Sequence, residues 1–310
     1  MTKRVLVTGA TGFIGRNSLA PLLARGYEVH AVTSHALALD ARSNHTHWHQ
    51  ADLLNSQQVT ALLTQIQPTS LLHLAWYAVP GQYWSSSENL RWVQASLHLV
   101  DEFVRMGGRR IVTAGTCAEY DWRYGYCTEE LTPLKPTSLY GVCKHSLQMI
   151  ISMLAQRTQI GAAWGRVFWL YGPYEHPQRL VSSLMRSLVR GEPALCTHGT
   201  QIRDFAYVED VAGALVALLD SEVEGPVNIG SGKPITVREL AFSIGEIVGR
   251  PELIQLGARQ SAADEPPMVV ANVQRLTNEV GWTCHYNLKD GLTQTVEWWK
   301  EQETNREINH

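Results

Sequence analysis

The sequence predicts an α/β fold, a doubly wound parallel sheet with a smaller C-terminal region, from three observations. Short β-branched or apolar runs alternate with longer stretches whose apolar residues recur at helical spacing. The first run breaks on glycines that open a helix, and the regularity loosens after Gly172. In order, the strand candidates are RVLVT (4–8), EVHAVT (28–33), HWHQA (47–51), SLLHLA (70–75), RRIVTAG (109–115) and AAWGRVF (162–168). Between them FIGRNSLAPLLARG, SQQVTALLTQIQP and SENLRWVQASLHLVDEFVRMGG read as helices. Strict alternation implies right-handed crossovers and a sheet covered on both faces. Pro21 lies well inside the first helical stretch and is expected to kink or interrupt it. Beyond Gly172, YGPYEHPQ reads as a loop, RLVSSLMRSLVRGEP as a helix, and DFAYVEDVAGALVALLDS as another helix leading back to the sheet. The tail from Pro234 has helical patterns, TVRELAFSIGEIVG and NVQRLTNEVGW, and few strand runs.

Composition narrows the function. At 310 residues, 45% hydrophobic and 18% charged, the chain can bury a sizeable core, which excludes disordered and fibrous classes. A formal charge of −3 without any Lys/Arg run argues against nucleic-acid and membrane-surface partners, because phosphate binding needs a clustered basic field. A small-molecule partner is expected instead. The opening residues read as neither a signal peptide nor a spanning helix. Five cysteines without a CxxC pair point to reduced thiols, a cytoplasmic location and no metal site.

VLVTGATGFIG supplies the first chemistry. Gly9 permits the tight turn, Gly12 lets backbone approach a pyrophosphate, and Gly15 allows close helix–strand packing. With Thr11, Phe13 and Ile14 they form a helix N-terminus whose free N–H groups and dipole suit an anion. The fold is thus expected to be Rossmann-like, with residues 1–172 binding a dinucleotide, about 202–230 returning to the sheet, and 173–310 mainly binding substrate. At the end of the second strand, where an acid would meet the adenosine ribose, stand Thr33, Ser34 and His35. Lack of a carboxylate removes the barrier to a 2′-phosphate, although no arginine lies immediately beside it. NADP or NAD is expected, with a lean toward NADP.

SLYGVCKH, beginning at Ser138, places Tyr140 and Lys144 one helical turn apart, so both can reach one bound group. At this point the sequence resembles the extended short-chain dehydrogenase/reductases, the NAD-dependent epimerases and dehydratases that modify nucleotide sugars. The resemblance covers nearly the whole chain. It rests on TGATGFIG, ADL, HLAW, TCAEY, YGVCK, RVFWLYGP, RDFAYVEDVA and VNIGSG, in that order.

The resemblance implies a catalytic set of Thr116, Tyr140 and Lys144. Tyr140 exchanges a proton with the sugar oxygen, Thr116 hydrogen-bonds that oxygen, and Lys144 holds the nicotinamide ribose while lowering the pKa of Tyr140. It also implies Asp52 and Leu53 along the adenine, and Leu74, Ala75 and Phe168 along the nicotinamide half. Arg203 is expected on the nucleotide or diphosphate of the sugar donor, with a structural salt bridge as the alternative, and Arg259 is a weaker candidate for a second diphosphate contact. Trp76 and Trp169, with Tyr77 and Tyr83, are expected to line a sugar pocket or to be core. Glu119 and His176 are candidate second acid/base groups. The family's dehydratases carry Asp-Glu where this chain has Cys117 and Ala118, so dehydration is disfavoured.

The implied function is NAD(P)H-dependent reduction of a nucleotide-linked 4-keto-6-deoxy sugar. The alternatives are a 4-epimerase that retains NAD and a non-catalytic dinucleotide sensor. The expected partners are a nucleotide-diphosphate sugar and a second copy of the chain in a homodimer.

Overall fold

The computed structural model describes residues 3–35, 45–261 and 264–308. The first half runs β1 (Arg4–Thr8), α1 (Phe13–Ala24), β2 (Glu28–Thr33), β3 (Thr46–Gln50), α2 (Ser56–Ile66), β4 (Ser70–His73), α3 (Glu88–Arg105), β5 (Arg110–Thr116), β6 (Tyr126–Cys127), α4 (Leu139–Thr158), β7 (Gly161–Val167) and β8 (Trp169–Tyr171). The second half continues with α5 (Leu180–Arg190), β9 (Ala194–Leu195), β10 (Ile202–Tyr207), α6 (Val208–Asp220), β11 (Gly225–Ile229), β12 (Pro234–Thr236), α7 (Val237–Val248), β13 (Ile254–Gln255), β14 (Met268–Ala271), α8 (Gln274–Asn278) and α9 (Leu288–Ile308).

Seven strands form one parallel sheet in the order β11-β7-β5-β4-β1-β2-β3. Because β1 is flanked by β2 on one side and β4 on the other, the chain diverges there, and a crevice opens beyond the carboxyl ends of β1 and β4. The near-continuous apolar strands follow from burial on both faces. One face packs Val5, Val7 and Val112 against Leu22 of α1 and Leu215 and Leu218 of α6. The other packs Leu6, Leu71 and Ile111 against Val59 and Leu63 of α2, Leu99 and Phe103 of α3, and Leu147 and Ile151 of α4. This is the doubly wound fold that the alternation predicts.

A second sheet, β12-β10-β14-β6 with β8 also on β10, carries the C-terminal region. There α5, α7 and α9 enclose a separate cluster of Leu184, Leu188, Leu240, Ile244, Leu292 and Trp299. Two sequence expectations change. DFAY is strand, not helix: β10 ends at Tyr207, which caps α6. An apolar run continuous across both elements hides the break, and pairing with β8, β12 and β14 decides it. The first helix is not interrupted at Pro21 but runs through it to Ala24, without the N–H that would have reached the Asn17 carbonyl. Among the described residues no helix is long and apolar enough to cross a membrane.

Candidate active site

The crevice is built by backbone. Gly9 turns with φ 67°, and a Cβ there would lie 2.8 Å from the Ala75 nitrogen. On Gly15 a Cβ would meet the Gly9 carbonyl at 2.1 Å, and on Gly12 at 3.0 Å. Among the described residues no side chain caps the N-terminus of α1, which leaves the N–H groups of its first turn, at Phe13 and Ile14, without a capping acceptor beside exposed Thr11 and Gly12. A cradle with no room for a Cβ and uncapped donors at its floor fits a dinucleotide pyrophosphate. Buried Thr8 fixes its wall. The Thr8 hydroxyl meets His73 Nδ1 at 2.7 Å and accepts from the Leu74 and Ala75 N–H groups, while His73 Nε2 lies 2.8 Å from Ser96 Oγ. Burial, with Lys144 nearby, holds His73 down to about 3, so it stays a neutral strut.

At the ribose end the two hydroxyls differ. Thr33 is buried, and its Oγ1 accepts from His35 N–H; Ser34 is exposed. Asp52 is exposed, and its carboxylate accepts from Leu54 N–H, whereas Leu53 packs into the core beside Ala51.

Thr116 ends β5 and caps the short turn at 117–119, accepting from Ala118 N–H. Tyr140 and Lys144 leave the first turns of α4, which starts where Ser138 Oγ accepts from Gly141 N–H. Tyr140 N–H donates to the Trp84 carbonyl, and rings surround its side chain: Tyr83 at 5.0 Å, Trp84 at 5.8 Å and Trp76 at 6.5 Å between centroids. Burial raises the Tyr140 phenol, with a contribution from Tyr83, and the Thr116 hydroxyl opposes part of that rise. This differs from the sequence expectation of a phenol lowered by Lys144. Lys144 points elsewhere: Nζ donates to the Ala114 carbonyl at 2.8 Å and sits 3.9 Å from the centroid of the Trp76 ring. Burial brings Lys144 down to about 7 against the opposing pull of Glu119.

From Tyr140 a wall of aromatic rings leads away: Trp84 to Trp122 at 6.2 Å, Trp122 to Trp169 at 6.1 Å, and Trp169 to the Arg203 guanidinium at 5.1 Å. Phe168 packs behind it with Cys117 and Tyr120. Arg203 is buried and also pairs with Glu265 at 3.1 Å, so the salt-bridge alternative is realised while the guanidinium faces Trp169. Arg259 is exposed, with its N–H on the Cys196 carbonyl. Among the described residues no hydrogen bond or ion pair joins its side chain to Arg203, Trp169 or Tyr140.

Glu119 is not free for acid/base work. It is fully buried, and its oxygens accept from Thr116 N–H, Trp164 Nε1 and Arg166 Nε, each at 2.8 Å. Arg166 in turn donates to Tyr120, whose hydroxyl reaches Asn228 at 2.7 Å. His176 is exposed in the loop before α5 and accepts from Gln178 N–H. Sequence reasoning missed Trp84, Trp122, Asn89 and Arg179. The last stacks on Tyr83 at 5.0 Å and donates to its hydroxyl. The cluster of aromatics in QYWSSSEN was the available signal for Trp84.

Comparisons with known proteins place the chain in a family. UDP-glucuronate 4-epimerase of Thermodesulfobacterium geofontis is 24% identical over 96% of this chain and 96% of its own. The solved structure of MoeE5 in complex with UDP-glucose and NAD is 30% identical, covers 98% of this chain and 99% of that chain, and superposes with a TM-score of 0.81. Thermus thermophilus UDP-glucose 4-epimerase in complex with NAD gives 25% identity, coverage of 96% and 99%, and a TM-score of 0.81. The model of the NAD-dependent epimerase/dehydratase family matches residues 5–230. That match spans most of the chain, and with the glycine-lined crevice at Gly9, Gly12 and Gly15 the chain belongs to the NAD-dependent epimerase/dehydratase family.

Proposed function

We propose that the protein reduces the C4 ketone of a nucleotide-linked 4-keto-6-deoxy sugar with NAD(P)H. The observation that carries this reading is the surface beside Tyr140. Where elimination would need an acid and a base there are buried Cys117 and Ala118, and burial raises the Cys117 thiol well above its ordinary value. The aromatic wall from Tyr83 to Trp169 suits the apolar face and methyl group of a deoxy sugar.

The chain's own groups divide the work. Gly9 to Gly15 would hold the pyrophosphate, Asp52 and Leu53 the adenine end, Ser34 the ribose, and Leu74, Ala75 and Phe168 the nicotinamide half. When bound, the dinucleotide supplies the hydride. Tyr140, kept protonated by its surroundings, would donate its phenolic proton to the C4 oxygen as negative charge develops there, and Thr116 would hydrogen-bond that oxygen. Lys144 would hold the nicotinamide-ribose hydroxyls. Arg203, flat against Trp169, would meet the diphosphate of the substrate, with Arg259 as a second contact.

A 4-epimerase retaining NAD is the second reading, favoured by the similar UDP-glucose and UDP-glucuronate 4-epimerases. The test is a panel of nucleotide-linked 4-keto-6-deoxy sugars offered with NADPH and NADH. Stoichiometric oxidation of NADPH, with NADH poorer, is expected. Isomerisation of a UDP-sugar without net cofactor consumption would promote the epimerase. Ser34→Asp should shift preference toward NADH, since a carboxylate there repels a 2′-phosphate.

A homodimer belongs to the same proposal. Val142, Met149, Ile150 and Met153 form an exposed apolar stripe on α4, and Leu90 is exposed on neighbouring α3. Sedimentation should show a dimer that Met149→Lys with Met153→Lys dissociates.

A further inference from the structure

Lys144 is an ammonium buried to 3% exposure, with one hydrogen bond, to the Ala114 carbonyl. Among the described residues no carboxylate lies in ion-pair range of it. The titratable groups that face it are few. Glu119, in the turn after β5, acts on it from a distance, with its oxygens committed to Thr116, Trp164 and Arg166. His73 on β4 is neutral. Tyr140 lies on its own helix, and its phenol is protonated.

What Lys144 does have is an aromatic face. The Trp76 centroid is 3.9 Å from Nζ, with Trp164 behind at 5.9 Å. The Trp76 indole is pinned, because Nε1 donates to Asn89 Oδ1 at 2.9 Å. Asn89 is fully buried and spends its own N–H groups on the Tyr83 carbonyl at 2.7 Å and the Ser86 carbonyl at 2.8 Å. One side chain therefore fixes both the ring over Lys144 and the turn that lays Tyr83 against Tyr140.

We propose that Trp76 is a positioning residue for Lys144, its indole face, locked by Asn89, holding the ammonium in place and keeping it cationic where no carboxylate among the described residues pairs with it. Besides the Ala114 carbonyl and the distant pull of Glu119, the ring quadrupole offsets part of the lost hydration, and that attraction is strongest at desolvated sites and for indole among the aromatic rings. Burial has already brought Lys144 to about 7, so a modest change in this attraction alters the charged fraction at neutral pH.

The test uses the full chain labelled at lysine Cε and titrated by NMR, which is tractable with six lysines. Lys144→Arg identifies the signal. In the parent protein the Cε protons of Lys144 should be shifted upfield by the ring current, and their absence from that region would overturn the proposal. Trp76→Leu should lower the titration midpoint by about 0.5–1.5 pH units. Trp76→Phe, which keeps a π face, should restore most of it. An unmoved midpoint in Trp76→Leu, or equal shifts in both variants, would reduce Trp76 to packing. If Trp76→Leu does not fold, the parent spectrum and Trp76→Phe still decide. The readout needs neither sugar nor turnover, so it fails or succeeds separately from the reductase reading, which specifies only what Lys144 would hold.

Discussion

Tyr140 is enclosed by Tyr83, Trp84 and Trp76, so replacing it with Phe keeps the packing and removes only the phenolic oxygen. Turnover should fall on the order of 10²-fold or more while the dissociation constant for NADPH stays within a few-fold, as checked by steady-state kinetics and cofactor fluorescence. Glu175 offers a different residue-scale test. It is buried before α5 with Ser182 Oγ donating to it at 2.7 Å, and burial raises its carboxyl to about 7. Between about 4.5 and 7 the folded chain therefore binds more protons at this site than the unfolded chain, and its contribution to stability falls as pH rises through that window. Glu175→Gln keeps an acceptor for Ser182 and removes the titration. Urea denaturation should show it more stable than the parent by about 1–3 kcal/mol at pH 8 and nearly equal at pH 4.

At the scale of elements, the join between β1 and α1 sets the crevice. Gly15 sits where any Cβ would strike the Gly9 carbonyl, so Gly15→Ala must push α1 off the sheet. A cost of about 1–3 kcal/mol in urea denaturation is expected, with dinucleotide affinity reduced on the order of tenfold. Ser138 closes the turn from which Tyr140 projects, and Tyr140 N–H is held by the loop carbonyl of Trp84. Helix start and aromatic loop are thereby fixed to one another before any ligand arrives.

Across the whole molecule, the polar core Glu119–Arg166–Tyr120–Asn228 ties the Thr116 turn to β7 and β11. Asn228 extends it through the Cys127 and Asn272 carbonyls to the second sheet. Removing one partner of the buried ion pair strands the other charge, so Glu119→Ala should cost about 3–5 kcal/mol, while Glu119→Val with Arg166→Met should recover only part of that, because Thr116 N–H and Trp164 Nε1 stay buried without their acceptor. Thermal or urea denaturation of the single and double variants checks both statements. A double variant as unstable as Glu119→Ala would show that the pair specifies the fold through more than its charge.

Features that depend on local backbone chemistry were legible in the chain itself. Gly9, Gly12 and Gly15 are readable because only glycine satisfies that turn, Tyr140 and Lys144 because helical spacing puts them on one face, and the alternating sheet because strands and helices differ in period. What those side chains meet was decided by residues distant in sequence. Lys144 faces Trp76 from across the fold, and Glu119 is consumed by Trp164 and Arg166. The strand DFAY is decided by the pairing of β10 with β8, β12 and β14, and Trp84 and Trp122 join Trp169 only once their two segments converge on β8. Local sequence determines conformation wherever a few bonded neighbours control the backbone energy. Charge state and pocket shape come from desolvation and contact, which exist only after tertiary packing has excluded water.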